Sequence, residues 1–159
     1  MNIKIISVGK IKESYLNEAI KEYTKRISTY AKLKFIEFKD KTEKDNASDK
    51  DNLKVKEVES TRILKNIESR DYLIALAIEG KQIDSLEVAH KIKELPTYGN
   101  SDIAFVIGGS IGLDQKVLSR ANLKLSFSKM TFPHQLMRVI LLEQIYRAFR
   151  INNNAPYHK

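Results

Sequence analysis

Hydrophobic residues recur along this chain in two alternating patterns. Short apolar runs, typical of buried strands, alternate with stretches in which an apolar residue returns every three or four positions, as on one face of a helix. Such alternation predicts an α/β fold with a largely parallel sheet flanked by helices, here as a single domain over residues 1–159. The predicted strands are 4–9, 34–38, 72–78, 102–107 and 123–127, and the predicted helices are 12–29, 53–69, 84–95, 114–121 and 133–150.

The segment 39–52 fits neither pattern. Its one apolar residue is Ala47, and the rest are charged or polar, which predicts a mobile loop. Its acids and bases nearly balance, so we do not expect it to contact a nucleic acid.

The last predicted helix, 133–150, has an apolar side that changes halfway along its length. A surface helix normally keeps one apolar stripe throughout. Either this helix passes deep through its own domain, or one half packs on its own sheet and the other on a second copy of the chain. The polar residues of the first half are His134, Gln135 and Arg138, and those of the second half, on the opposite side, are Glu143, Arg147 and Arg150.

Composition narrows the classes of partner. A net charge of +8 and a pI near 9.5 favour a polyanion, with nucleic acid first, because each phosphate contact releases counterions. The absence of cysteine excludes a disulfide framework and a thiolate metal site, and no histidine pair has zinc-ligand spacing, so we expect no metal. No apolar run reaches the roughly 20 residues of a membrane span, and the start does not resemble a signal peptide, so we expect a cytoplasmic protein.

A glycine-rich stretch, Gly108-Gly109-Ser110-Ile111-Gly112, follows the fourth predicted strand. In open parallel sheets, ligands lie beyond the carboxyl ends of the strands, so the loops 77–81, 108–112 and 127–132 would border a pocket. A tight turn before a helix is the alternative. The stretch lacks the patterns of dinucleotide-binding and P-loop sites, and Ser110 lacks a nucleophile-elbow context. The residues alone therefore predict a basic α/β domain with a glycine-lined pocket and name no reaction.

Four motifs in order along the second half of the chain change this picture. They are G-G-x-x-G-L at 108–113, P-H-x-L-x-R at 133–138, E-Q-x-Y-R-A at 143–148 and P-Y-H at 156–158. With them, essentially the whole chain resembles the RlmH family of SPOUT-class methyltransferases.

That resemblance implies a carboxyl-terminal trefoil knot, in a region of about 103–159, which general topology rules would not predict because true knots are almost absent from proteins. It also implies a homodimer that acts on the assembled ribosome. The implied reaction is methylation of N3 of pseudouridine 1915 in 23S ribosomal RNA, with S-adenosyl-L-methionine as methyl donor.

The resemblance also implies which residues bind the methyl donor. In this chain Ala77 stands where relatives often have an aspartate, so a carboxylate role just after that strand is not expected. Core packing is the alternative for the two phenylalanines of the set. The implied donor-binding residues are Leu76, Gly108, Phe127, Ser128, Lys129, Met130, Thr131 and Phe132.

The resemblance implies that the catalytic residues lie in the last residues of the chain, 154–159, called the tail below. His158 is the first candidate, as a base or as a group that orients the base, and Tyr157 would hold the nucleotide. In a dimer this tail could complete the partner's pocket; the alternative is a disordered chain end. His134, in the first helical turn, either faces the ligand loop or has a structural role.

The expected phosphate contacts are Arg138, Arg147 and Arg150, with an ion pair to Glu143 as the alternative for Arg147. Two rival functions stay open: a non-enzymatic RNA-binding factor associated with the ribosome, and a nucleotide- or flavin-binding enzyme.

Overall fold

The computed structural model of the protein describes residues 1–40 and 48–159. Within these residues, the chain forms one five-stranded sheet in the order β2-β1-β4-β3-β5, and every neighbouring pair is parallel. The α/β architecture with a parallel sheet is therefore confirmed. The strands are β1 (Asn2–Val8), β2 (Lys32–Phe38), β3 (Tyr72–Gln82), β4 (Asp102–Ile107) and β5 (Leu123–Ser126).

Helices cover both faces of this sheet. One face packs against α1, α3 and α5, and the other packs against α2 and α4. Strand β4 lies at the centre of the sheet and is buried on both faces. Phe105 packs into the core on the side of α1, α3 and α5, and Val106 packs into the core on the side of α2 and α4, so the strand is apolar almost throughout. The helices are α1 (Ser14–Ile27), α2 (Asp49–Lys65), α3 (Ser85–Glu94), followed by a 3-10 turn (Leu95–Tyr98), α4 (Gln115–Arg120) and α5 (His134–Asn152).

Strand β3 is longer than its hydrophobic pattern predicts. The prediction ended the strand at 78, whereas the structure continues it to Gln82. Its pairing with β5 shifts from Leu76 opposite Leu125 to Lys81 opposite Leu125, so residues 77–80 form a bulge. A polar strand end that pairs only through such a bulge leaves no periodic signal in the sequence.

Helix α2 begins earlier than predicted. The prediction of a loop was wrong over residues 49–52, while residues 41–47 lie outside the described part of the chain. A capping box starts the helix: the Ser48 hydroxyl accepts from the Asp51 amide at 3.2 Å, and the Asp51 carboxylate accepts from the Ser48 amide at 3.3 Å. Charged residues that suit a loop suit a capped first turn equally well.

Two further expectations concern membrane spans and the knot at the carboxyl-terminal end. Within the described residues, no helix is long and apolar enough to cross a membrane. The trefoil knot over about 103–159 stays a prediction.

Candidate functional site

A cavity of about 1110 Å³ lies at the carboxyl ends of β3, β4 and β5. Its walls come from the bulge 77–80, the glycine-rich loop 108–112 and the segment 126–132, with further side chains from helices α2, α4 and α5. The three loops that sequence reasoning placed around a pocket therefore meet at one site. The physical reason is that parallel strands bring all their following loops to one edge of the sheet.

The glycine-rich loop is closely packed against itself. A Cβ at Gly108 would lie 2.9 Å from the carbonyl carbon of Gly112, closer than real Cβ contacts come. The Gly112 amide donates to the Gly109 carbonyl at 3.0 Å, and Gly112 has a φ of +78°, which favours glycine. The loop is thus a tight turn and a cavity wall at once, so both interpretations of its glycines hold.

The segment after β5 is held by hydrogen bonds to its own serines. The Ser126 hydroxyl donates to the Ser128 carbonyl, and the Met130 amide donates to the Ser128 hydroxyl, each at 3.0 Å. Phe127 lines the cavity and also packs against the core, so the core packing considered for it is present.

Seven of the eight residues expected to bind the donor line this cavity, and Lys129, which is exposed, does not. Their role in donor binding stays a prediction. The lining members of the set are Leu76, Gly108, Phe127, Ser128, Met130, Thr131 and Phe132.

The polar side of the first half of α5 faces the turn that follows β1. Arg138 Nη2 donates to the Gly9 carbonyl at 2.9 Å, and Gln135 Nε2 donates to the Lys10 carbonyl at 3.4 Å. His134 lies against Gly9 and also lines the cavity, with Nε2 3.1 Å from the point where a Gly9 Cβ would stand. The change of apolar side along α5 therefore has an intramolecular cause, because these polar groups hold the turn after β1.

The opposite, apolar side of this first half is less well covered. Leu136 is exposed, and Met137, Val139 and Ile140 are only partly buried. The second half of α5, by contrast, buries Leu142 and Ile145 in the core with α1 and α3. Packing on a second copy of the chain stays a prediction for the uncovered side.

Arg138, one of the three expected phosphate contacts, is buried in the chain. Its side chain is 1% exposed, and its guanidinium pairs with Glu37 at 3.3 Å in addition to Gly9. Burial lowers the pKa of Arg138 and the Glu37 carboxylate opposes that shift. These bonds give Arg138 a structural role within its own chain, and its contact with an RNA phosphate stays a prediction.

The tail after α5 folds back onto the helix. Arg147 makes two bonds to Glu143, at 2.6 and 3.0 Å, and its guanidinium lies 4.7 Å from the centre of the Tyr157 ring. The Tyr157 hydroxyl donates to the same Glu143 carboxylate at 3.1 Å. Burial, followed by this hydrogen bond, raises the pKa of Tyr157 to about 12. The chain end is therefore ordered, and the ion pair weighed for Arg147 is present.

Arg150 also holds the tail. Its Nη1 donates to the Tyr30 hydroxyl at 3.1 Å and its Nη2 to the Pro156 carbonyl at 3.4 Å. All three arginines expected to contact phosphate thus bind groups of their own chain.

His158 has a defined hydrogen-bonding role. Its Nδ1 lies 3.2 Å from Arg147 Nη1. Because arginine can only donate, Nδ1 accepts, and in the neutral ring the proton sits on Nε2. In this arrangement Nε2 presents a hydrogen-bond donor to the outside, which suits a group that orients a nucleotide better than it suits a base.

The structure does not bring the tail into the cavity of its own chain. Neither Tyr157 nor His158 lines the cavity. His134, at the cavity end of α5, is 13 positions from Arg147, which is about 20 Å along a helix. Within one chain, the expected catalytic residues and the expected donor residues are therefore apart.

Sequence reasoning missed several cavity residues. Lys56 and Gln115 come from helices α2 and α4, and Lys124 comes from the short strand β5. None of them belongs to a motif, and only the packing of distant elements brings them to the cavity. In the described part of the chain, no group of histidine, aspartate and glutamate residues could hold a metal ion.

Comparison with known proteins gives a family match over nearly the full length. The family described as "Predicted SPOUT methyltransferase" matches residues 1–158. The chain belongs to this family. It is 58% identical over 159 residues to a Clostridium novyi protein named "Ribosomal RNA large subunit methyltransferase H", with all of both chains covered.

Proteins with the same name from Clostridium tetani and Bacillus thuringiensis are 57% and 58% identical over the same length. A solved structure from Haemophilus influenzae, a probable methylase family protein, aligns with a TM-score of 0.49 at 17% identity, covering 96% of this chain and 66% of that one. The resemblance drawn from the four motifs is confirmed by the sequence matches. For a SPOUT methyltransferase, the cavity beside the glycine-rich loop is the candidate place for a methyl donor.

Proposed function

We propose that this protein methylates N3 of pseudouridine 1915 in 23S ribosomal RNA, using S-adenosyl-L-methionine, as a homodimer bound to the ribosome. Membership of the SPOUT methyltransferase family and full-length relatives named as large-subunit ribosomal RNA methyltransferases support the proposal. The observation that carries it is the cavity, because seven residues implied by the family resemblance converge there from three separate strand ends. A ribosomal substrate would place the protein in the cytoplasm.

The cavity suits a nucleoside-containing donor. Leu76, Phe127 and Phe132 contribute apolar walls for a base, while the close-packed turn at Gly108 and the serine-rich segment offer backbone groups. Drug-sized ligands occupy pockets of roughly 300–1,000 Å³. A volume of about 1110 Å³ leaves space for part of a nucleotide beside the donor.

When bound, the donor supplies an electrophilic methyl group. The chain then has to hold the target nitrogen in line with that group, while the proton on N3 passes to solvent, and correct orientation of two reactants can supply about 7–11 kcal/mol. We assign the orienting task to the tail. His158 Nε2 would donate to a carbonyl of the target base, and Tyr157 would hold the nucleotide, with Arg147 and Glu143 fixing both side chains.

This assignment requires two chains. Because Tyr157 and His158 do not line the cavity of their own chain, the tail would act in the cavity of the partner subunit. The partly covered apolar side of the first half of α5 gives a surface on which such a dimer could form.

Calorimetric titration of the purified protein with S-adenosyl-L-methionine, alone and with ribosomes, tests the proposal. We expect saturable binding and transfer of one methyl group to the large-subunit RNA. The variant Gly108→Ala should lose donor affinity, because the added Cβ would displace the glycine-rich loop. Binding to ribosomes with no donor binding under either condition would contradict the proposal and favour a non-enzymatic RNA-binding factor.

A further inference from the structure

Two lysines contribute positive charge to the cavity wall, one from α2 and one from β5. Lys56 is partly buried and Lys124 is exposed. In the part of the chain that the structure describes, neither forms an ion pair with a carboxylate. Glu79, the acidic residue of the described lining, is itself exposed and bonds to neither of them.

The backbone holds Lys124 firmly in this place. It pairs with Ala75 of β3, and its carbonyl carbon and oxygen lie only 2.7 Å from where a Gly80 Cβ would stand. Leu123 and Leu125 pack into the core on the α5 side of the sheet, so alternation along the strand turns Lys124 to the side covered by α2. Lys56 of α2 lines the same cavity on that side of the sheet.

The fold alone does not explain this pair. A lysine on an edge strand such as β5 discourages pairing with other chains, which accounts for Lys124. It does not account for Lys56, which lies on a helix. Two cations that share a cavity without an anionic partner repel each other, and an anion bound between them would remove that repulsion.

We propose that Lys56 and Lys124 form a binding subsite for a phosphate group of the RNA backbone beside the target nucleotide. This inference rests on the proposed function, since it names how the same cavity would hold its RNA. A phosphate contact needs a cation at the cavity that is not already used, and Arg138, Arg147 and Arg150 all bind groups of their own chain. Lysine commonly makes such positioning contacts, which carry affinity rather than sequence information.

The test measures the salt dependence of ribosome binding. Wild type, Lys56→Ala, Lys124→Ala and the double variant are sedimented with ribosomes that lack the modification, over a series of KCl concentrations. Because the two lysines would share one phosphate, removal of both should reduce the slope of log affinity against log salt by about 1, and removal of either one by no more than that. Lys56→Arg and Lys124→Arg should keep the wild-type slope, because they keep the charge.

Lys65→Ala is the matched control. Lys65 is exposed on the same helix as Lys56, about 13 Å further along, and does not line the cavity. Its removal should leave the slope unchanged. A slope that falls as much for Lys65→Ala as for Lys56→Ala would overturn the subsite, because it would show only a general effect of net charge.

Donor calorimetry on the same variants tests whether the anion that the two lysines bind is the carboxylate of the methyl donor instead of an RNA phosphate. We expect unchanged affinity for S-adenosyl-L-methionine. A donor affinity reduced tenfold or more, with an unchanged salt slope, would overturn the proposal and assign the lysines to the donor's carboxylate. If wild type binds ribosomes but transfers no methyl group, the proposed function fails, while the slopes still decide whether the two lysines bind phosphate.

Discussion

At the scale of single residues, Gly80 has a structural importance that no motif shows. It lies in the bulge of β3, where any side chain would meet the backbone of Lys124 at 2.7 Å. Because backbone cannot move aside as a flexible side chain can, the bulge itself would have to shift. The bulge also forms a wall of the cavity, so a side chain at Gly80 would change the shape of the site.

We therefore expect Gly80→Ala to destabilise the protein by about 1–3 kcal/mol, the usual cost of overpacking, and to weaken donor binding. Urea denaturation and donor calorimetry measure the two effects. Gly99→Ala is the control: Gly99 has a φ of +86° but no atom near its Cβ position, so that variant should lose stability without losing donor affinity. Equal donor binding by Gly80→Ala and wild type would show that the bulge does not shape the site.

Tyr157 gives a prediction about pH. Its pKa is about 12 in the folded chain, against about 10 for an unfolded tyrosine. Below pH 10 both states keep the proton, so this residue adds no pH dependence. Between pH 10 and 12 the unfolded state releases the proton while the folded state retains it, so the free energy of unfolding should fall as pH rises.

The variant Tyr157→Phe isolates this effect. It cannot ionise, so its free energy of unfolding should decline less than that of wild type between pH 10 and 12 in parallel denaturation series. Parallel curves for the two proteins would mean that Tyr157 is not held in its bonded position against Glu143 in solution.

At the scale of elements, α5 connects the cavity to the turn after β1. Arg138 is the only fully buried side chain in the first seven residues of this helix, and the helix start has no side-chain cap. The guanidinium bonds to Gly9 and Glu37 therefore do the anchoring that apolar packing does in the second half. The helix carries His134 and Met137 into the cavity wall, so its anchoring sets the geometry of the site.

Replacing Arg138 by methionine tests the anchoring role. Glu37 is 38% exposed and water can solvate it, but the Gly9 carbonyl loses its donor, so we expect the free energy of unfolding to fall by about 1–3 kcal/mol. Loss of the bond to Gly9 should still let the helix start move, and a 1 Å misplacement can reduce a rate about 100-fold. Steady-state methyl transfer to ribosomes would measure this.

Glu37→Gln provides the milder comparison, because it leaves the bond between Arg138 and Gly9 in place. A wild-type rate in Arg138→Met would contradict the anchoring role, whereas a reduced rate with reduced ribosome binding at low salt would support Arg138 as an RNA contact.

At the scale of the whole molecule, the proposed site combines the cavity of one subunit with the tail of the other. Mixed dimers test this. If Gly108→Ala and His158→Ala are placed on different chains of a dimer, both changes fall in one site and the other site stays intact. We expect about half of the wild-type methyl transfer from such dimers.

Dimers that carry both changes on one chain and none on the other should be inactive, because each of the two sites then contains one change. Tandem affinity tags allow each mixed dimer to be purified and assayed. The reverse result, with activity only when both changes share a chain, would place the tail in its own subunit's site.

The sequence determined which segments become strands and helices, and which loops border the site. Those properties depend on neighbouring residues: the period of the apolar positions decides which side of an element is buried, and parallel strands always bring their following loops to one edge. The four motifs are equally local. The polar end of β3 and the charged start of α2 were exceptions, the latter because charged segments suit loops and capped helices alike.

Only the tertiary structure decided which polar groups meet. Arg138 bonds to a carbonyl 129 positions away, the bulge of β3 depends on the register of β5, and Lys56 and Lys124 share a cavity although 68 positions separate them. The tail likewise depends on Arg147 and Arg150, which a list of basic residues assigns to RNA. The sequence shows which side chains are charged. The partner of each charge is the group that the folded chain brings within about 4 Å, and this depends on the packing of distant elements.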